Sequence, residues 1–207
     1  GGVVEDCEIT NVLNAGSPGS QKVGSLVATH GVTGATDISF RRNSIPEFQK
    51  AGILVMGPFA VVEIADNVIT NAPTPYNAGN GIQVSYGATG DLRRNVVSGV
   101  AYQGDDWTAT GILLFECGDV SMDGDYVHGC QSGVNYSDWR WVHSHPVPVN
   151  LTFDGLQLTG NEWSFGAQLS GEGSDLNLIM NDCSISGSTG DAVDVRLREA
   201  YQGKAPV

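Results

Sequence analysis

Two short stretches decide the fold: Asn67-Val68-Ile69-Thr70-Asn71 and, ten residues on, Gly81-Ile82-Gln83-Val84. Each alternates an apolar residue with a polar or small one, the period of a half-buried strand. Both recur in fixed order along the chain. The first returns as Cys7-Glu8-Ile9-Thr10-Asn11, Asn43-Ser44-Ile45-Pro46-Glu47, Asn95-Val96-Val97-Ser98-Gly99 and Asp125-Tyr126-Val127-His128-Gly129. Leu156-Gln157-Leu158-Thr159-Gly160 and Cys183-Ser184-Ile185-Ser186-Gly187 complete the set. The second returns as Gly52-Ile53-Leu54-Val55, Gly111-Ile112-Leu113-Leu114 and Gly133-Val134-Asn135-Tyr136, with weaker copies around Leu26, Ala167 and Val193.

A third apolar segment precedes the first unit, as in Ile38-Ser39-Phe40, Val62-Glu63-Ile64 and Val120-Ser121-Met122. No single strand of three to six residues buries a face alone, but strands stacked coil on coil do. A β-sandwich also spaces short strands regularly, yet it does not repeat one strand type with one flanking turn seven times. The pattern predicts an all-β parallel solenoid of about seven coils, three short strands per coil. At about 4.8 Å per coil the rod is roughly 34 Å long. Residues 1–207 read as a single domain, expected to be part of a longer rod or of an assembly, because uncapped sheet edges invite pairing.

The Asn-x-Ile-x-Asn and Gly-Ile-x-Val units resemble the right-handed parallel β-helix repeat of the pectin-lyase-like superfamily of sugar-binding and sugar-cleaving proteins. The resemblance implies a single-stranded right-handed β-helix over nearly the whole chain. It also implies an asparagine ladder at Asn43, Asn67 and Asn95, each in a tight turn whose left-handed backbone asparagine tolerates. Cys7, Asp125, Leu156 and Cys183 are expected to interrupt that ladder. Asp6, Arg42, Asp66 and Arg94 form an exposed column of alternating sign, which predicts ion pairs between neighbouring coils.

The chain has 207 residues, with 23 acids against 10 bases and a net charge of −13. That balance argues against nucleic acid and anionic membranes as partners. No apolar run is long enough for a membrane-inserted helix. Apolar residues at 41% and charged residues at 16% exclude a disordered acidic tail. Glycine contributes 28 residues, placed mostly at the starts of strands and in tight turns.

Long segments between the first and second units gather on one edge of the early coils. They carry Tyr76, Tyr102, Asp105, Asp106 and Trp107; a later outlier, Asp138 to Pro146, adds Trp139, Trp141, His143 and His145. Exposed aromatics beside carboxylates suit sugars, since a ring accepts the apolar side of a pyranose. Tyr76, Tyr102, Trp107, Trp139 and Trp141 are the candidate carbohydrate contacts, or else they pin their own loops.

On the outer face of the Gly-aliphatic strands, the middle coils present Leu54, Met56, Gln83, Ser85, Leu113 and Phe115. The apolar members are expected to form an exposed strip open to self-association. Charge reaches that face only on the last coil. Asp194 and Arg196, with Asp105 and Asp106, are therefore the candidate catalytic residues, and the Tyr-Gly-Phe-Asp-Pro-His run of the related alginate epimerases is absent.

No cofactor is expected. Asp105, Asp106, Asp123 and Asp125 would be the groups for calcium, but no calcium-binding repeat is present. His143 and His145 lack a third metal ligand nearby. The four cysteines are placed too far apart for disulfides and are expected to be buried thiols. Asn135-Tyr136-Ser137 and Asn150-Leu151-Thr152 match the short glycosylation pattern. The expected function is a non-catalytic β-helix domain, secreted or at the cell surface, that binds a polysaccharide or glycan or acts as a rigid module. The alternative is a lyase, hydrolase or epimerase acting on acidic polysaccharide.

Overall fold

Branched aliphatics at every second position build short strands whose inward side chains meet across a narrow interior. The computed structural model describes residues 1–12, 22–29, 33–74, 77–138, 148–170 and 175–198. The first coil holds β1 (Gly2–Glu5) and β2 (Val23–Ala28). The next coils hold β3 (Thr36–Arg41), β4 (Ser44–Pro46) and β5 (Ala51–Met56), then β6 (Ala60–Ala65), β7 (Val68–Thr70) and β8 (Asn80–Ser85). There follow β9 (Thr89–Arg93), β10 (Val96–Ser98), β11 (Thr110–Phe115), β12 (Val120–Asp123), β13 (Tyr126–His128) and β14 (Ser132–Asp138). The last two coils hold β15 (Val149–Asp154), β16 (Gln157–Thr159), β17 (Trp163–Ser170), β18 (Leu176–Asn181), β19 (Ser184–Ser186) and β20 (Val193–Arg198).

Strands of equal rank stack into three parallel sheets of seven, six and seven strands. The first runs β1-β3-β6-β9-β12-β15-β18, the second β4 through β19 and the third β2-β5-β8-β11-β14-β17-β20. This is the expected three-stranded solenoid, with six complete coils. In the first coil the middle strand is reduced to a bridge between Glu8 and Ser44.

Inward columns are continuous. Ile45, Ile69, Val97, Val127 and Leu158 line the second sheet, and Ile53, Ile82, Ile112, Val134 and Phe165 the third, all buried. Full burial of one such side chain stabilises by about 1.5–3 kcal/mol. On the last described coil Val193 and Val195 are 54% and 56% exposed at core positions.

The ladder is present and longer than the sequence suggests. Cys7 N donates to Asn43 Oδ1 at 3.1 Å. Asn43 donates through N and Nδ2 to Asn67 Oδ1, both at 2.9 Å. Asn67 does the same to Asn95 Oδ1 at 3.1 and 2.9 Å. Asn95 then donates twice to Asp125 Oδ1, so Asp125 does not interrupt the ladder but ends it as an acceptor.

The left-handed residue of the turn is not the asparagine. It is the residue before it: Asp6, Arg42, Asp66, Arg94, Gly124, Gly155 and Asp182 have φ between 50° and 66°. The rung residue must point into the core, so the residue before it makes the sharp bend, and glycine does so most easily. Four of the five charged members pair as expected across coils, Asp6 with Arg42 and Asp66 with Arg94, each at 2.8 Å.

The glycines that open the third-sheet strands serve close approach rather than bending. A Cβ on Gly52, Gly81 or Gly111 would lie 2.7, 2.5 or 2.7 Å from the carbonyl oxygen of the glycine one coil on. Gly81→Ala would also meet Val97 Cγ1. We expect it to cost about 1–3 kcal/mol. Asn67→Ala, which leaves two buried Asn43 donors without their acceptor, should cost about 2–4 kcal/mol. Chemical denaturation of both variants measures these losses.

Candidate functional site

The loop joining β10 to β11 displays the most exposed large aromatic among the described residues. Trp107 is 65% exposed, with Asp105 and Asp106 exposed beside it. Tyr102 anchors this loop. It bridges to Thr74 on the preceding coil, and a methyl group at Gly104 would overlap its ring. Gln131 Oε1 receives the Tyr102 and Ala109 backbone N–H groups at 3.3 and 2.9 Å, tying both ends of the loop to the next coil. The hydrogen bond from Tyr102 to Asp106, chiefly, holds the phenol above its ordinary range. Tyr102 thus anchors the loop, and Trp107 projects from it into solvent. Tyr76, Trp139, Trp141, His143 and His145 lie outside the described residues.

The four candidate catalytic groups do not meet. Arg196 Nε donates to Asp194 Oδ1 at 2.8 Å, so that pair neutralises itself on β20. β20 lies three strands from β11 in the third sheet, about 14 Å at coil spacing. The loop carrying Asp105 and Asp106 enters β11, well away from Asp194.

The outer face of the third sheet is amide, hydroxyl and apolar. Asn80 Nδ2 donates to Gln83 Oε1 at 2.9 Å and Gln83 Nε2 to Ser85 Oγ at 3.4 Å. Leu54, Met56, Leu113 and Phe115 are half-buried there rather than open. Tyr86 packs edge-on against Phe115 with ring centroids 5.5 Å apart, which covers part of the expected strip.

Two acids that sequence reading passed over lie at the end of this face. Glu116 and Asp138 are wholly buried on adjacent coils. Phe115 pairs with Ser137, and Glu116 N donates to Ser137 O at 2.8 Å, so the two acids follow paired positions. Glu116 holds a left-handed backbone at φ 46°. Tyr136 Oη donates to Asp138 Oδ2 at 3.4 Å. Burial, and then the Glu116 charge, raises the Tyr86 hydroxyl above its ordinary value. An acid directly after the apolar run Ile112 to Phe115 reads as a solvated turn; only its register with Asp138 reveals the pair.

The first sheet carries a shallow open groove across β6, β9, β12 and β15, lined by Val61, Thr89, Asp91, Asp119, Ser121 and Asn150 among others. Asn150 donates through N and Nδ2 to Asp119 Oδ1 at 2.8 and 3.0 Å, and Asn177 Nδ2 to Asn150 Oδ1 at 3.0 Å. This outer amide stack is exposed, unlike the buried ladder. Among the described residues no group of three or more His, Cys, Asp or Glu side chains could hold a metal ion. Asp125, one of the acids considered for calcium, is committed to the ladder.

A family model described as the right handed beta helix region matches residues 31–201. The chain belongs to the right-handed β-helix family. No curated protein and no solved structure shows significant similarity to it. Membership in the β-helix family bears out the fold and the resemblance that predicted it. It assigns no ligand or reaction.

The four thiols of this β-helix are free; Cys117 and Cys130 are buried, Cys183 is partly buried, and Cys7, expected to be buried, is exposed on the open first coil. Burial pushes the Cys117 thiol strongly upward, with the Asp138 and Asp119 charges adding to the effect. Burial likewise pushes Cys130 up to about 11. A thiolate is the reactive form. In the folded protein at pH 7.5, a disulfide-exchange reagent should label Cys7 rapidly and leave Cys117 and Cys130 untouched until denaturant is added, as peptide mass mapping would show.

Proposed function

We propose that this β-helix is a non-catalytic module that binds carbohydrate, acting outside the cell or on its surface. The observation that carries the reading is Trp107, held out at 65% exposure on a loop fixed by Tyr102, with two exposed carboxylates at its side. An indole face stacks on the C–H side of a pyranose, and carboxylates accept hydroxyl hydrogen bonds. The neighbouring outer face of the third sheet adds the half-buried amides of Gln83 and Asn135, two coils apart. Asp105 and Asp106, within a chain of net charge −13, favour neutral or amino-substituted glycans over uronates.

A catalytic reading draws support from one feature, the carboxylates of Glu116 and Asp138 on adjacent coils. Glycoside hydrolysis uses such pairs. Both side chains are fully buried, so neither reaches a polymer lying on the surface. That burial supports binding over cleavage.

A glycan array, followed by titration calorimetry on the best neutral polysaccharide, tests the proposal. Trp107→Ala should weaken binding by roughly 2–12-fold, the worth of one aromatic contact, with the thermal midpoint nearly unchanged. Turnover of any polysaccharide that disappears in Glu116→Gln would overturn the non-catalytic reading.

A further inference from the structure

The buried ladder ends on a carboxyl group, and the geometry there is not that of a carboxylate. Asn95 presents its backbone N–H and Nδ2–H to one oxygen, Asp125 Oδ1, at 2.8 Å each. The second oxygen, Oδ2, is buried with no hydrogen-bond partner, and Asp125 is 0% exposed.

The repeat shows what Oδ2 must face. Each amide rung donates a second Nδ2 hydrogen to the carbonyl three residues before the previous rung. Asn43 donates to Val4 O at 3.0 Å, Asn67 to Phe40 O at 3.0 Å and Asn95 to Ile64 O at 2.8 Å. Cys183 follows the rule with its thiol, reaching Phe153 O at 3.4 Å. Every rung that obeys it places a donor against a carbonyl. The same register gives Asp125 the carbonyl of Leu92. An ionised Oδ2 would set lone pairs against lone pairs in a dry core, whereas a protonated Oδ2 donates as an amide does.

We propose that Asp125 is held as the neutral acid, an amide mimic whose Oδ2–H completes the ladder, and that this proton makes the joint between the β9–β11 and β12–β14 coils respond to pH. The surrounding charges act in both directions, since Arg94 interacts with Asp125 as well as with Asp66. Asp123, two residues earlier at the end of β12, adds negative charge beside Asp125. Arg94, the cation of the turn before Asn95, is already engaged by Asp66 at 2.8 and 2.9 Å. Burial is the largest influence; the hydrogen bonds from Asn95 and from the Asp123 backbone oppose it, leaving Asp125 pushed up to about 6. The folded state therefore holds this proton more tightly than the unfolded chain does. The stabilisation is complete below the ordinary carboxyl value of 3.8 and is lost as pH rises through about 6. The joint is tighter in acid and looser at neutral pH.

Thermal midpoints of the full chain and of Asp125→Asn, measured from pH 4 to pH 8, test this. An amide makes both hydrogen bonds at every pH. The variant should match the parent at pH 4 and melt roughly 4–8 °C higher at pH 7.5. Other carboxylates affect both proteins alike, so the difference isolates Asp125. A variant less stable than the parent at pH 7.5, or a difference that does not change with pH, overturns the proposal. Carboxyl-carbon NMR of the parent protein decides independently should the variant fail to fold. A titration midpoint for Asp125 near 6 supports the neutral acid, and one near the ordinary aspartate value overturns it.

Discussion

Three sheets meet at turns where the backbone must bend inside a dry interior, and the amide ladder is what makes those turns possible. A bend exposes N–H and C=O groups that neither adjacent sheet can pair. Buried and unsatisfied, each would cost about 1–3 kcal/mol. On the coils of Asn43, Asn67 and Asn95 a single asparagine answers both needs. Its Oδ1 takes two donors from the coil before, and its Nδ2 serves a carbonyl and the next rung. Asn67 does all of this at once. Because each rung bonds only to its neighbours, the ladder also fixes which coil stacks on which.

This constraint propagates outward. With the rung residue turned inward, the residue before it must bend left-handed, and its side chain falls on the surface. There the chain sets Asp6, Arg42, Asp66 and Arg94, then Gly124 and Gly155, and at the last turn Asp182. On the opposite side, coil spacing brings glycine carbonyls into the space a Cβ would need, which fixes Gly52, Gly81 and Gly111. The variable segments lie between the second and third sheets, where no rung and no glycine stack constrains length. The Trp107 loop is one of them.

Fold and ladder were legible because each depends on a short period repeated many times. Inward Ile53, Val55, Ile82, Val84, Ile112 and Leu114 follow from alternation alone, and all are buried. Two features were not legible. The left-handed position was shifted by one residue, since Asn, Asp and Arg carry no local mark separating the residue that bends from the one that bonds. The role of Asp125 was hidden because an acid in an amide column looks like an interruption until its hydrogen-bond partners are known. The candidate site was harder still. Trp107 declared itself by composition, but Glu116 and Asp138 become a pair only through the register of β11 with β14.

Repetition is also why this fold says so little about chemistry. Each coil is specified by its neighbours, so the surface columns are free to vary without loss of the core. Asp194 and Arg196 show how little a charged pair on such a face need mean, for they satisfy each other. Function must then be sought where the repeat is broken. Among the described residues three breaks stand out: a loop that holds an indole in water, two acids sealed behind a strand end, and a carboxyl group where the pattern calls for an amide. Only the first is open to a large ligand. The second and third are buried within the rod. The breaks thus divide between the two proposals: the Trp107 loop as the contact with a ligand, and Asp125 as a control on how firmly the coils hold together.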